Sequence, residues 1–229
     1  GEKKMDTYSA LSTSQATIEG IFPIPIYIST FGRSFTSKEK TFANSQIDHC
    51  LNVPPVLTGG GHSTGGNALT QQTKDNYVLN NKVFSNIKKG IELILKDYTD
   101  KVICPKDNFE LYITQSWLNY AKKGQSHPHH SHTNSYVSGV LYFNVDQNNK
   151  IYFQKSGYRQ ITPPVKTWKA WNSPTWWLPV EAGSIVLFPS STVHRVAPQK
   201  EENTRISLSF NTFIKGDLGE EITLTKLKL

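Results

Sequence analysis

His127-Pro-His-His-Ser-His132, running on into Val137-Ser-Gly-Val-Leu-Tyr-Phe-Asn144, is the stretch that sets the reading of this chain. The second half is rich in β-branched and aromatic residues and reads as a strand. On extended backbone, His130 and His132 at i and i+2 project from one face. Gly124 upstream allows a bend, and Pro128 stiffens the alternative pair His127/His129, which is expected to sit on the way into the strand. A third imidazole, His194, follows the strand-like run Gly183-Ser-Ile-Val-Leu-Phe-Pro189 and is placed to reach a central cavity. Three imidazoles on one side of an ion leave its other side open for chemistry. A histidine-rich tract can also be a surface turn or an adventitious zinc trap, but the remote third partner favours a built site.

The next strand carries the second signal. Arg205-Ile-Ser-Leu-Ser-Phe-Asn211 alternates strictly, with Arg205, Ser207, Ser209 and Asn211 on one face and Ile206, Leu208 and Phe210 on the other. The pattern alone leaves open whether the polar face meets water or an interior. In an interior, Arg205 would be a buried cation in need of an anion, and the small serines beside it would leave room for a ligand. Its planar fork suits a carboxylate.

Outward from these motifs, Phe109–Leu118, Val137–Asn144, Lys150–Gln154, Gly183–Phe188 and Arg205–Ile214 read as strands. Before them, Val83, Phe84, Ile87, Ile91, Ile94, Leu95 and Tyr98 recur at helical spacing, predicting an amphipathic helix over about 80–99. Thr36-Ser-Lys-Glu39 has capping-box spacing for a short helix through about Ile47. Phe22–Ile28 reads as an edge or entry strand because of its prolines. Residues 1–20 read as a polar arm. Gly59–Gly66 reads as a flexible loop without the GK[ST] ending of a phosphate loop. The stretch 155–182 holds Trp168, Trp171, Trp176 and Trp177 and reads as a long loop, a candidate lid or substrate wall. The fold class expected is mainly β (α+β), a sandwich or jelly roll buttressed by N-terminal helices. One domain over 1–229 is expected, with 1–108 as arm, edge strand and supporting helices, 109–214 as core and 215–229 as an extension.

The bulk numbers fit. The chain has 229 residues, 37% of them hydrophobic and 19% charged, and no apolar run near the length of a membrane helix. Its net charge of +7 is spread in ones and twos without a nucleic-acid-binding motif, so nucleic acid is not expected as a partner. That balance would suit an anionic substrate. Cys50 and Cys104 lie outside any CxxC pattern and are expected as two buried thiols in a reducing, cytoplasmic setting.

Trp117-Leu-Asn119, Gly124, His130-Ser-His132, Ser135, Ser138–Phe143, Gly183–Pro189, His194-Arg-Val and Arg205–Asn211 together resemble a family of 2-oxoglutarate/Fe(II) oxygenases of phages and marine bacteria, related to prolyl 4-hydroxylases. Ile21–Tyr27 is similar to that family's opening. The resemblance implies a double-stranded β-helix (jelly-roll) core. It also implies Fe(II) on His130, His132 and His194, with Arg205 on the distal carboxylate of 2-oxoglutarate and O2 as oxidant. Ser207 and Tyr120 are implied as further hydrogen-bonding residues, and Ser138 and Asn119 as cosubstrate contacts. The implied reaction is hydroxylation of a peptidyl (prolyl-like) side chain or of a small molecule. A homodimer, and a host cytoplasm if the source is viral, are among the expectations. One departure stands out. The superfamily pattern is His-x-Asp/Glu, whereas this chain has His132, which leaves the metal site one unit more positive.

Two rival readings remain at this level. Gly124 and His-x-His, then Gly183, Pro189 and His194, also match parts of the two cupin motifs, but the cupin glutamate is missing, since Ser135 and Tyr136 stand there. A cupin has no need of Arg205-x-Ser207. The other rival is a structural module in which zinc fills three histidines and nothing turns over.

Overall fold

The computed structural model describes residues 20–52, 69–106, 108–157, 161 and 163–229. The expected polar arm and the Gly59–Gly66 loop lie outside these residues, save Gly20. In chain order the strands and helices are β1 (Tyr27–Thr30), α1 (Ser37–Ser45), β2 (Cys50–Asn52), β3 (Gln71–Thr73), α2 (Ser85–Tyr98), β4 (Phe109–Ala121), β5 (His127–His130), β6 (Val137–Asn144), β7 (Lys150–Gln154), β8 (Thr175–Pro179), β9 (Ser184–Pro189), β10 (His194–Val196), β11 (Arg205–Leu218) and β12 (Leu227–Lys228). A major sheet runs β1-β9-β6-β11-β4-β3-β2, with β12 on the far end of β11, and a minor sheet runs β5-β10-β7-β8. Every pairing between these strands is antiparallel. This is the jelly-roll architecture expected, mainly β with helices on one side.

The major sheet is covered on both faces, which is why β6 and β9 are buried along nearly their whole length. One face packs on the helices. There Ile87, Ile91 and Leu95 of α2 join Leu118, Tyr120, Leu141, Leu187, Ile206, Leu208 and Phe210 in one core. The other face looks at the minor sheet, where Val140, Tyr142, Val186 and Phe188 meet Ile151, with Phe153 and Leu178 packed against them. Alternation along β11 therefore sends Ile206, Leu208 and Phe210 to the helices and Arg205, Ser207, Ser209 and Asn211 to the space between the sheets.

Several expectations need adjustment. The predicted helix begins only at Ser85, because extended backbone at Asn81 breaks the preceding residues into two 3₁₀ turns, Val78–Asn80 and Lys82–Phe84. The edge strand begins at Tyr27, since Pro23 and Pro25 have no N–H to offer a ladder. The loop predicted over 155–182 contains β8, so Trp176 and Trp177 are strand residues paired with Phe153 and Tyr152. The last core strand runs to Leu218 and pairs with β12, which ties residues expected as a free extension to the sheet. Both cysteines are free as expected, but neither is fully buried: Cys50 is half-buried and Cys104 is exposed. The capping box opens α1 as read: Thr36 Oγ1 accepts from Glu39 N, and the Glu39 carboxylate accepts from Thr36 N.

Candidate metal centre

Three imidazoles converge from two neighbouring strands and the turn beyond one of them. His130 closes β5 and pairs with His194, the first residue of β10. His132 lies two residues past β5, anchored by its backbone N–H donating to Ser190 O at 2.9 Å. One nitrogen from each of the three rings lies within 4.8 Å of the other two. The ring centroids are 4.2 Å apart for His130–His194, 5.1 Å for His130–His132 and 5.2 Å for His132–His194.

The tautomers are set by what each Nδ1 meets. His130 Nδ1 faces Pro128 O at 2.9 Å, His194 Nδ1 faces Thr192 O at 3.0 Å and His132 Nδ1 faces Asn211 Oδ1 at 2.6 Å. A carbonyl oxygen only accepts, so each Nδ1 carries the proton and each Nε2 keeps its lone pair free for a ligand bond. Burial keeps the rings neutral: it pushes His130 down to about 4, and lowers His132 and, more strongly, His194. Ser138 Oγ, also hydrogen-bonded to Asn211 Oδ1 and Ser190 Oγ, lies 2.9 Å from His132 Nδ1. Ser138 therefore supports His132 and does not line the cavity, a correction to its expected place as a cosubstrate contact.

Beside the triad is a cavity of ≈ 350 Å³ between the two sheets. Its wall on the major sheet carries Arg205, Ser207, Ser209 and Asn211 from β11, Asn119 and Trp117 from β4, and Tyr142 from β6. Arg205 is 5% exposed, and among the described residues no carboxylate pairs with it. Among the described residues, no aspartate or glutamate lines the cavity. The guanidinium lies over the Tyr142 ring, 5.3 Å from its centroid. Arg205 Nε, Tyr142 OH and Asn119 Oδ1 are buried without a hydrogen bond of good geometry, the Tyr142 hydroxyl and the Arg205 guanidinium interacting with each other. A buried cation surrounded by orphaned polar atoms is costly unless an anionic ligand completes it.

Tyr120 is elsewhere. Strand alternation turns it to the helix side, where its hydroxyl donates to Ala43 O at 2.5 Å in the apolar core. The tyrosine hydroxyl available to a ligand is that of Tyr142. Its signal was present in the alternation Ser138, Val140, Tyr142, which puts it on the face of the histidine support. None of Trp168, Trp171, Trp176 and Trp177 lines the cavity, so the aromatic wall there is Trp117 instead.

Residues 115–211 match the family described as "Putative 2OG-Fe(II) oxygenase". The match covers less than half of the chain and makes this segment similar to that family. The match spans the three histidines, Arg205, Ser207, Asn119 and Tyr142. The oxygenase fold recurs in solved structures at low sequence identity. The non-heme alpha ketoglutarate dependent epimerase SnoN from nogalamycin biosynthesis superposes with TM-score 0.57 at 10% identity, covering 83% of this chain and 78% of that one. The carbocyclase SnoK from the same biosynthesis gives TM-score 0.52 at 12% identity, covering 85% and 81%. HygX from Streptomyces hygroscopicus, with nickel and 2-oxoglutarate bound, gives 0.50 at 13%, covering 82% of each chain. These likenesses establish the fold. No curated protein matches the chain. The oxygenase segment's own residues fit the cofactors in the family's name, with three Nε2 lone pairs for iron and an unpaired guanidinium for a dicarboxylate. No helix among the described residues is long and apolar enough to cross a membrane.

Proposed function

We propose that this protein is a non-haem Fe(II)- and 2-oxoglutarate-dependent dioxygenase, whose iron is held by His130, His132 and His194 and whose keto acid is anchored by Arg205. The observation that carries this reading is the unpaired, buried Arg205 in a cavity that contains three neutral imidazoles and no acid. When bound, iron and 2-oxoglutarate supply the oxidation: the keto acid is decarboxylated to succinate while one oxygen atom of O2 enters a substrate C–H bond.

The chain's own residues bind, orient and exclude water. Arg205 and the Tyr142 hydroxyl take the distal carboxylate, with Ser207 alongside and the Asn119 amide facing the same space. Asn119 Nδ2 is held by donation to Ser209 Oγ at 2.9 Å, which leaves Oδ1 free to accept. Neutral ligands in place of a carboxylate leave the loaded centre more positive by one charge, which favours an electron-rich or anionic substrate. The substrate class proposed is a peptidyl side chain of the prolyl type or a small molecule, received beside the keto acid in the cavity of ≈ 350 Å³. The unpaired thiols suit a reducing cytoplasm.

Anaerobic titration of the Fe(II) protein with 2-oxoglutarate tests the reading. A weak visible metal-to-ligand charge-transfer band is expected to grow to one equivalent. If iron is bound and no band forms, the cupin reading replaces this one.

A further inference from the structure

The sequence placed the His127/His129 pair on the way into the strand, and plain alternation over the three positions from His127 to His130 would put these two on opposite faces. The pairing of β5 with β10 shows otherwise. His194 is opposite His130 and Val196 is opposite His127, so three steps on β5 are matched by two on β10. The extra residue is a β-bulge at Pro128–His129, and a bulge returns the following side chain to the face it would have lost. His127 consequently looks into the cavity, its ring centroid 4.3 Å from that of His130.

Its chemical setting is specific. Thr70 Oγ1 stands 2.8 Å from His127 Nδ1, and Thr70 itself is buried. Thr70 N–H donates to Ser126 O, fixing this hydroxyl beside the imidazole. Nδ1 is thereby occupied, and Nε2 is the nitrogen left for a ligand. His127 is not part of the set that could hold the ion. The ring lies within electrostatic reach of Arg205 as well as of His130 and His132. His127, on β5 of the minor sheet, and Arg205, on β11 of the major sheet, line the same cavity beside the triad.

We infer that His127 is a cosubstrate-binding residue: Thr70 donates to its Nδ1, and its Nε2–H donates to the distal carboxylate of the keto acid from the wall facing Arg205. The assignment rests on the 2-oxoglutarate reading above and adds a further neutral donor, from the minor sheet, to those of the major sheet. The bulge at Pro128–His129 is the device that lets one short strand supply both a metal ligand and a cosubstrate contact.

The test is calorimetric and needs no turnover. Ni(II)-loaded wild type, His127→Ala, His127→Gln and Thr70→Val are titrated with 2-oxoglutarate, and with oxalate, which can chelate the ion but has no distal carboxylate. Ni(II) affinity of each protein is measured separately. His127→Ala is expected to weaken 2-oxoglutarate about tenfold, the effect of losing a hydrogen bond to a charged group, while oxalate and Ni(II) affinities stay within about twofold. His127→Gln, whose amide N–H can reach the same space, should recover most of the loss, and Thr70→Val should show a smaller one. Unchanged 2-oxoglutarate affinity in His127→Ala overturns the inference, and so does an equal loss of oxalate or of Ni(II). Failure of Ni(II)-loaded wild type to bind 2-oxoglutarate at all would instead overturn the functional reading.

Discussion

His132 Nδ1 donates to Asn211 Oδ1 at 2.6 Å, a contact between the turn after β5 and the face of β11 that also carries Arg205. The superfamily pattern that this sequence resembles has a carboxylate at the position of His132. Here a neutral imidazole stands there, and its orientation comes from an amide that Ser138 also engages. The proposed metal ligand is thus aligned by the same strand that carries the proposed keto-acid anchor, Arg205.

Removing that support should loosen the metal. Asn211→Ala is expected to lower Fe(II) or Zn(II) affinity by about tenfold to a hundredfold, as for other groups that orient a ligating histidine. Chelator competition measures it. An affinity equal to wild type would mean that Ser138 alone holds His132.

Tyr142→Phe isolates the orphaned hydroxyl next to Arg205. Loss of one hydrogen bond to a carboxylate should weaken 2-oxoglutarate by about fivefold to tenfold with no loss of thermal stability. Tyr120→Phe provides the contrast. It should leave 2-oxoglutarate affinity alone and destabilise the fold by about 1 kcal/mol through the lost bond to Ala43.

Gly139 lies mid-way along β6 where the helix-side core presses on the backbone. A β-carbon there would fall 2.7 Å from Leu187 Cδ2 and closer still to the Phe210 ring. Gly139→Ala should cost about 1–3 kcal/mol in urea unfolding, the usual range for overpacking. A neutral result would mean that Phe210 can rotate away without loss.

The start of α1 sets a pH dependence remote from the histidines. The hydrogen bond from the Arg33 guanidinium, aided by smaller contributions from Thr36, holds the Glu39 carboxyl below its ordinary range against the opposing effect of desolvation. A depressed folded-state pKa means the folded form binds the proton less tightly than the unfolded one. The stabilisation is therefore complete above the unfolded value, near about 4.3, and is lost as pH falls through the lower folded value. Arg33 is 37% exposed, so solvent screening limits the pair to about 1 kcal/mol or less. Glu39→Gln should lower Tm at pH 7 and approach wild type in acid. A gap that stays constant down to pH 3 would show that charge contributes nothing.

Much of the site was legible in one dimension. The i, i+2 histidines and the alternating Arg205–Asn211 run are short-range patterns that strand periodicity converts into faces, whereas the remote His194 was legible only from its place just past a strand-like run. The same logic placed β6 and β7 at their observed bounds. Tyr120 was misplaced because resemblance, unlike alternation, does not say which face of β4 a residue occupies. The loop expected over 155–182 concealed β8, since prolines and glycines around Trp176-Trp177 masked a strand whose pairing with β7 lies more than twenty residues away in sequence.

Residue order by itself determined the strands, their two-sided patterning and the identity of the three imidazoles and the arginine, because these depend on backbone geometry within a few residues. Tertiary structure decided which way the polar face of β11 turned, since only the minor sheet packed above it makes that face an interior. It also decided that His127 enters the cavity, because a bulge is a mismatch between two strands and has no expression in either one alone.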